Sequence, residues 1–157
     1  MPQLIIKPND IPRLTALNGN IDIDSLTPYV FQAQTIDIKR ILRPTLYDKI
    51  VSDYANNSLT GVYKTMYDDY ILLVLAYYSA SYFISFGSYQ IVNNGIMKMA
   101  SEGGTAVDMK DVTFLSEKYK GLGVAFESQL YDYLQTLDIP EYDKNVVQKL
   151  KSKTNWY

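Results

Sequence analysis

The chain contains no cysteine and no histidine, and a single tryptophan. Without cysteine there is no disulfide framework, no thiolate nucleophile and no Cys-based zinc or iron–sulfur site. Without histidine there is no Ser-His-Asp triad, no base that titrates near neutral pH, and no imidazole-bound haem or copper. Glutamate is also scarce, four against thirteen aspartates. Aspartate bonds readily to nearby backbone, so that bias suits caps and turns. Positive charge is not in excess, since the net charge is −2. That argues against a dedicated nucleic-acid binder. Nothing is spaced like a Ser-x-x-Lys or Gly-x-Ser-x-Gly nucleophile. Ser101–Thr105 is glycine-rich but lacks the Gly-Lys-Ser/Thr ending of a phosphate loop.

What is present is apolar and aromatic. The 157 residues are 47% hydrophobic and include 15 tyrosines. This length fits one domain that buries enough surface to fold without a metal or disulfide. No basic, apolar leader opens the chain, so no secretory signal is expected. Tyr70 to Met97 carries no charge, and Ile71–Phe86 is largely apolar. Serines and tyrosines interrupt this run at its centre, where a membrane span disfavours them, so a buried helix and no membrane are expected.

The periodicity predicts a mainly α fold. Residues 1–26 read as an extended N-terminal arm. Within it, Leu14–Leu17, Asn18-Gly19 and Ile21–Asp24 form either a short hairpin or an irregular arm with one turn. A first helix is predicted to open at Thr27-Pro28 and end at Arg43-Pro44, because a residue before proline is pushed out of the α region. A second runs from Thr45 to Asn56. A third occupies Gly61–Phe86, with Gly87 ending it. A β-hairpin is expected near residues 89–99, around Asn93-Asn94-Gly95. The fourth helix carries the strongest pattern, Val112, Leu115, Tyr119, Leu122, Phe126, Leu130, Tyr133 and Leu137. Gly121 and Gly123 lie inside it, marking either a close backbone approach or a kink. The body is thus expected to be four-helix bundle-like over residues 27–137, followed by a C-terminal tail, 138–157.

The carboxylate pairs Asp68-Asp69 and Asp22/Asp24 invite an acid–base or metal reading. Adjacent residues on a helix point about 100° apart, so they do not converge alone. Helix N-terminal charge is the expectation for Asp68-Asp69, and Asp22 and Asp24 share one face if their segment is a strand. The tyrosines of the third helix, Tyr63, Tyr67, Tyr70, Tyr77, Tyr78 and Tyr82, suggest a packing and assembly surface. A nucleic-acid stacking platform would need a positive groove, and only Lys64 is near. The tail is different. Lys144, Lys149, Lys151 and Lys153 follow Asp143 with no acid among them, so residues 1–143 sum to −6. The tail ends Asn155-Trp156-Tyr157. Trp and Tyr dominate interface hot spots, which suggests an anchor for a partner's pocket; the alternative is packing back onto its own domain.

The segment from Ser25 to Ile50 resembles the small head–tail connector (adaptor) proteins of tailed bacteriophages, particularly those of Bacteroidetes phages including the crAss-like ones. The shared elements are a helix opened by Tyr29 with Ala33-Gln34, then Asp37-Ile38, Leu42 and Leu46-Tyr47. The later Asn94-Gly95-Ile96 turn and the closing Tyr131-Asp132-Tyr133-Leu134 are similar too. One departure is Arg43-Pro44, where the family usually has glycine after the Ile-Leu pair. The resemblance implies a structural virion protein and not an enzyme, with no cofactor and no metal. It implies a homo-oligomeric ring beneath the portal protein, twelvefold if it matches a portal. The next tail or neck ring protein would lie on the far side, and genomic DNA would pass through the lumen without specific binding. It places the protein at the head–tail junction of the virion, and in host cytoplasm during assembly. The tail becomes the expected portal-binding element, with Lys149, Lys151, Lys153, Asn155, Trp156 and Tyr157 chosen from their chemistry. Tyr67, Tyr70, Ile91, Ile96, Met97 and Met99 are the expected subunit contacts. Two other readings remain open at this point, a helical protein-interaction module outside viruses and a cryptic carboxylate-based enzyme.

Overall fold

Asp22, not Thr27, starts the first long helix. Its carboxylate accepts from the Asp24 amide at 3.1 Å, and α2 runs Ile23–Ala33. The computed structural model describes residues 3–17, 21–87, 89–92, 95–98 and 108–144. Thr27-Pro28 therefore lies inside α2, where the carbonyl that Pro28 leaves unanswered belongs to Asp24 at the exposed helix start. The arm is not extended throughout. A 3-10 turn, Pro8–Asp10, leads into the single turn α1, Ile11–Leu14, so the strands expected around Asn18-Gly19 do not form at Leu14 or Ile23. Asn18-Gly19 itself falls outside the described residues. The arm is also part of the core, since Ile5, Ile6 and Ile11 are all buried.

A π-turn, Gln34–Ile38, joins α2 to α3, Lys39–Ala55. A π-turn carries one residue more than an α-turn and so shifts the inward phase. Here it turns the polar Gln34 and Asp37 inward alongside Ile38. Within α3 the rod bends at Arg43, whose φ of 65° and ψ of 165° lie outside helical space, immediately before Pro44. The bend predicted from Arg43-Pro44 is present, in a backbone conformation that glycine adopts without strain.

The second rod is continuous over 27 residues, Gly61–Gly87. It comprises α4, Gly61–Met66, a π-turn, Tyr67–Ile71, and α5, Leu72–Gly87. By length and composition it is long and apolar enough to cross a membrane, and 44% of its most apolar stretch is buried inside the protein. Asp68-Asp69 sits mid-rod rather than at a helix start, with Asp68 paired to Lys64 at 2.7 Å. α5 is central, packing against α1, α2 and α6. After it, β1, Tyr89–Val92, pairs antiparallel with β2, Gly95–Lys98, Ile91 opposite Ile96. The fold is mainly helical.

The last helix, α6, is unbroken over Met109–Thr136 and lies antiparallel to α5. Its buried line is Ser116, Tyr119, Gly123, Leu130 and Leu134. Of the predicted stripe, Tyr119, Leu130 and Leu137 are buried and Val112, Phe126 and Tyr133 half-buried, while Leu115 and Leu122 are exposed and Ser116 and Gly123 take the inner places beside them. The reason is what α5 presents. Tyr78 lies flat on Gly123, and Ser81 donates to the Ser116 carbonyl at 3.1 Å, so small residues take the closest approach. Gly123 is an approach site and Gly121 is not. A Cβ at 123 would meet the Tyr78 ring at 3.2 Å, while one at 121 meets nothing within 4 Å. Gly121→Ala should raise stability by about 1 kcal/mol through helix propensity. Gly123→Val should lower it by about 2 kcal/mol, because the ring is held by its hydroxyl and cannot move aside. Paired denaturant titrations check both, and equal effects would refute this assignment of the two glycines.

Candidate functional site

Three rods meet in one polar cluster. Asp37, buried in the first π-turn, accepts from the Tyr82 hydroxyl at 2.9 Å. Arg40, one turn on, places Nη2 3.6 Å from Asp37 Oδ1. Its two terminal nitrogens also donate to both carboxylate oxygens of Glu127 on α6, each at 2.9 Å. Tyr78 donates to the same Glu127 at 2.5 Å. This bidentate fork is the strong, geometrically specific kind of ion pair. The cluster borders a cleft of about 300 Å³ lined by Asp37, Arg40, Tyr82, Ser85, Ser116 and Lys120, among others. The Ser85 and Ser116 hydroxyls bond to one another across it.

The electrostatics follow from the partners. Burial pushes the Asp37 carboxyl above its usual range, against the opposing pull of the Tyr82 hydroxyl and Arg40. Hydrogen bonds to Glu127 hold Arg40 more firmly protonated than usual. Burial and the bond to Asp37 push Tyr82 up to about 12, and burial and Glu127 push Tyr78 higher still. Neither phenol is poised to move a proton near neutral pH, and each polar group in the cluster faces a fixed partner. The arrangement fixes helix orientation; it does not assemble a nucleophile with a base. Asp37 is then a cost at neutral pH. Its folded-state pKa is raised, so its contribution favours the fold at acid pH and is lost as pH climbs from the unfolded value through the folded one. Asp37→Asn, which keeps an acceptor for Tyr82, should leave the protein at least as stable at pH 7 and flatten that acid-side slope. Melting curves across the acid range check this, and a clearly less stable variant would show that the Arg40 contact outweighs burial.

Of the expected tyrosine surface, Tyr67 and Tyr78 are buried and Tyr63, Tyr70, Tyr77 and Tyr82 are half-buried against other parts of the chain. Tyr67 is 9% exposed and donates to the Ile5 carbonyl at 2.5 Å, so it is a core residue and not a subunit contact as the sequence suggested. Tyr70 stacks on Tyr133 with ring centroids 4.6 Å apart, and Tyr77 packs between Tyr119 and Phe126. Tyr63 donates to Glu141 at 2.7 Å. Of the other expected contacts, Ile91 lies on β1, Ile96 and Met97 lie on β2, and Met99 is outside the described residues. Lys149, Lys151, Lys153, Asn155, Trp156 and Tyr157 are outside them as well. Only the root of the tail is described, and it docks on the body through the buried Tyr142.

The exposed large apolar residues lie on several helices, Ile36 in the first π-turn and Val62 on α4 among them. Phe86 near the end of α5 and Met109, Phe114, Leu115, Leu122 and Val124 on α6 are exposed, Phe114 by 63%. Leu115 and Leu122 were legible as apolar, but not as uncovered. Among the described residues no group of three or more acidic side chains gathers as a metal site.

These features define a mainly helical protein whose polar cluster locks three rods and whose last two helices leave apolar side chains uncovered. Residues 38–152 match the family of unknown function DUF6712, and the chain belongs to that family. The match begins at Ile38, so Gln34 and Asp37 precede it. No curated protein and no solved structure matches.

Proposed function

We propose that this protein is a head–tail connector of a tailed bacteriophage, a subunit of a ring that joins the portal to the tail and leaves a channel for DNA. The observation that carries this beyond the resemblance is the exposure of Leu115 and Leu122, which share one flank of α6. Two leucines on one flank of a long helix offer a neighbouring subunit an apolar contact, and a ring would cover them in every subunit. In this reading the helices form the connector domain. The paired strands at 89–98, with Tyr70, Ile91, Ile96, Met97 and Met99, add to the contacts between neighbours. The basic tail enters the portal, where Trp156 and Tyr157 supply buried area and Lys149, Lys151 and Lys153 supply charge match. Many weak tails acting together would hold the ring. The acidic remainder offers DNA few phosphate contacts.

The test combines the full chain and a chain lacking residues 150–157 with the portal protein of the same genome. Native mass spectrometry and electron microscopy read out rings. The full chain should form a portal-bound ring. The truncated chain should keep the same melting temperature and lose portal binding. Normal binding by the truncated chain would remove the tail from the proposal. A full chain that never binds the portal would remove the connector function itself.

A further inference from the structure

The bend within α3 holds a residue in the wrong backbone region for its type. Arg43 has φ 65° and ψ 165°, a region occupied essentially by glycine alone. The other non-glycine residue with positive φ among those described, Asn57, has φ 53°, and asparagine visits the left-handed region readily. Arg43 has no such tolerance, so something else keeps it there.

Its side chain shows what. One terminal nitrogen donates to the Asp143 carbonyl at 2.9 Å, and the guanidinium lies 5.1 Å from the centre of the Tyr142 ring. Tyr142 is 4% exposed, and its amide donates to the Ile139 carbonyl at 3.3 Å. The Tyr142 hydroxyl is buried without a hydrogen-bond partner. That segment is therefore held by its ring, its backbone and Arg43, and not by the phenol. Residues 43 and 143 are 100 positions apart in the chain.

We propose that Arg43 is a strained latch, which fixes the root of the C-terminal segment, Tyr142–Lys144, against the bend within α3. The bend aims the guanidinium at the ring and at the Asp143 carbonyl, and those two contacts stabilise an arginine in a glycine conformation. The position of Tyr142–Lys144 on the body is then set by the bend. This inference goes beyond the connector reading and does not rest on it.

Three variants of the full chain separate strain from latch. Arg43→Ala keeps the strain and loses the contacts, whereas Arg43→Gly loses both. Arg43→Ala should melt lowest, and Arg43→Gly should melt above it by about 3 °C or more. In both, hydrogen exchange at residues 139–143 should quicken about tenfold, the loss of a charge-assisted bond at the root. Tyr142→Phe keeps the ring beneath the guanidinium and removes the unpartnered hydroxyl. It should melt no lower than the natural protein, with exchange at the root unchanged. An Arg43→Gly variant that melts no higher than Arg43→Ala would show that the bend carries no strain. Unchanged exchange at 139–143 in both Arg43 variants would show that there is no latch. Faster exchange in Tyr142→Phe would assign the hold to the hydroxyl. Any of these three results overturns the proposal.

Discussion

Gln34→Leu should cost about 3 kcal/mol of stability and free the N-terminal segment from the body. The leucine has nearly the right volume, so the loss is one of hydrogen bonds rather than packing. Gln34 is fully buried. Its amide nitrogen donates to the Gln3 carbonyl at 2.8 Å and to the Tyr47 hydroxyl at 3.0 Å. Its carbonyl oxygen accepts from the Ile5 amide at 2.8 Å. Leucine would leave a buried amide and a buried hydroxyl without those partners, and orphaned buried groups cost more than their bonds contribute net. The effect should spread, because Ile5, Ile6 and Ile11 enter the core only while this segment is held down. Denaturant titration gives the size, and exchange at the Ile5 amide gives the location. A variant within about 0.5 kcal/mol of the natural protein would show that the segment is held by its isoleucines alone.

Alkali should unfold this protein steeply, by a route that its composition makes dominant. Tyr67, Tyr78 and Tyr82 are all held protonated above the ordinary phenol value of 10.0, in each case chiefly by burial. A group whose folded pKa is raised gives stability that is complete below the unfolded pKa and is lost as pH rises toward the folded one. The window therefore opens near pH 10, the unfolded value. Each phenol costs about 1.4 kcal/mol per pH unit there, so three remove about 4 kcal/mol by about pH 11. That is a large share of the stability of an ordinary domain, about 5–15 kcal/mol. Unfolding midpoints measured from about pH 9 to about pH 11 should fall, and tyrosinate absorbance should rise with unfolding rather than before it. Tyr78→Phe should remove one proton from the slope. A level midpoint would show that these phenols ionise in place.

Both effects rest on residues whose importance only partly showed in the chain. Gln34 stood out as one member of a short motif, with no indication of what it holds. Tyr67 read as a surface residue because tyrosine suits either side of an interface, and its hydroxyl had no visible partner until Ile5 was brought beside it.

The sequence by itself determined the helical class, the bend at Arg43-Pro44, the end of the second rod at Gly87 and an amphipathic helix before Pro140, whose unbroken course past Gly121 and Gly123 it left open. Proline stereochemistry, glycine freedom and apolar period are written into a few neighbouring residues, and they act the same way wherever those residues lie. Tertiary structure alone decided that Ser116 and Gly123 join Tyr119 and Leu130 against α5 while Leu115 and Leu122 stay exposed, because that depended on the tyrosine and serines α5 happened to offer. It alone paired Arg40 with Glu127 across 87 positions and brought Gln34 to Ile5 across 29. Hydrogen bonds and charge pairs are short-ranged in space but carry no signature along the chain. Their partners are therefore chosen only when the rods have packed.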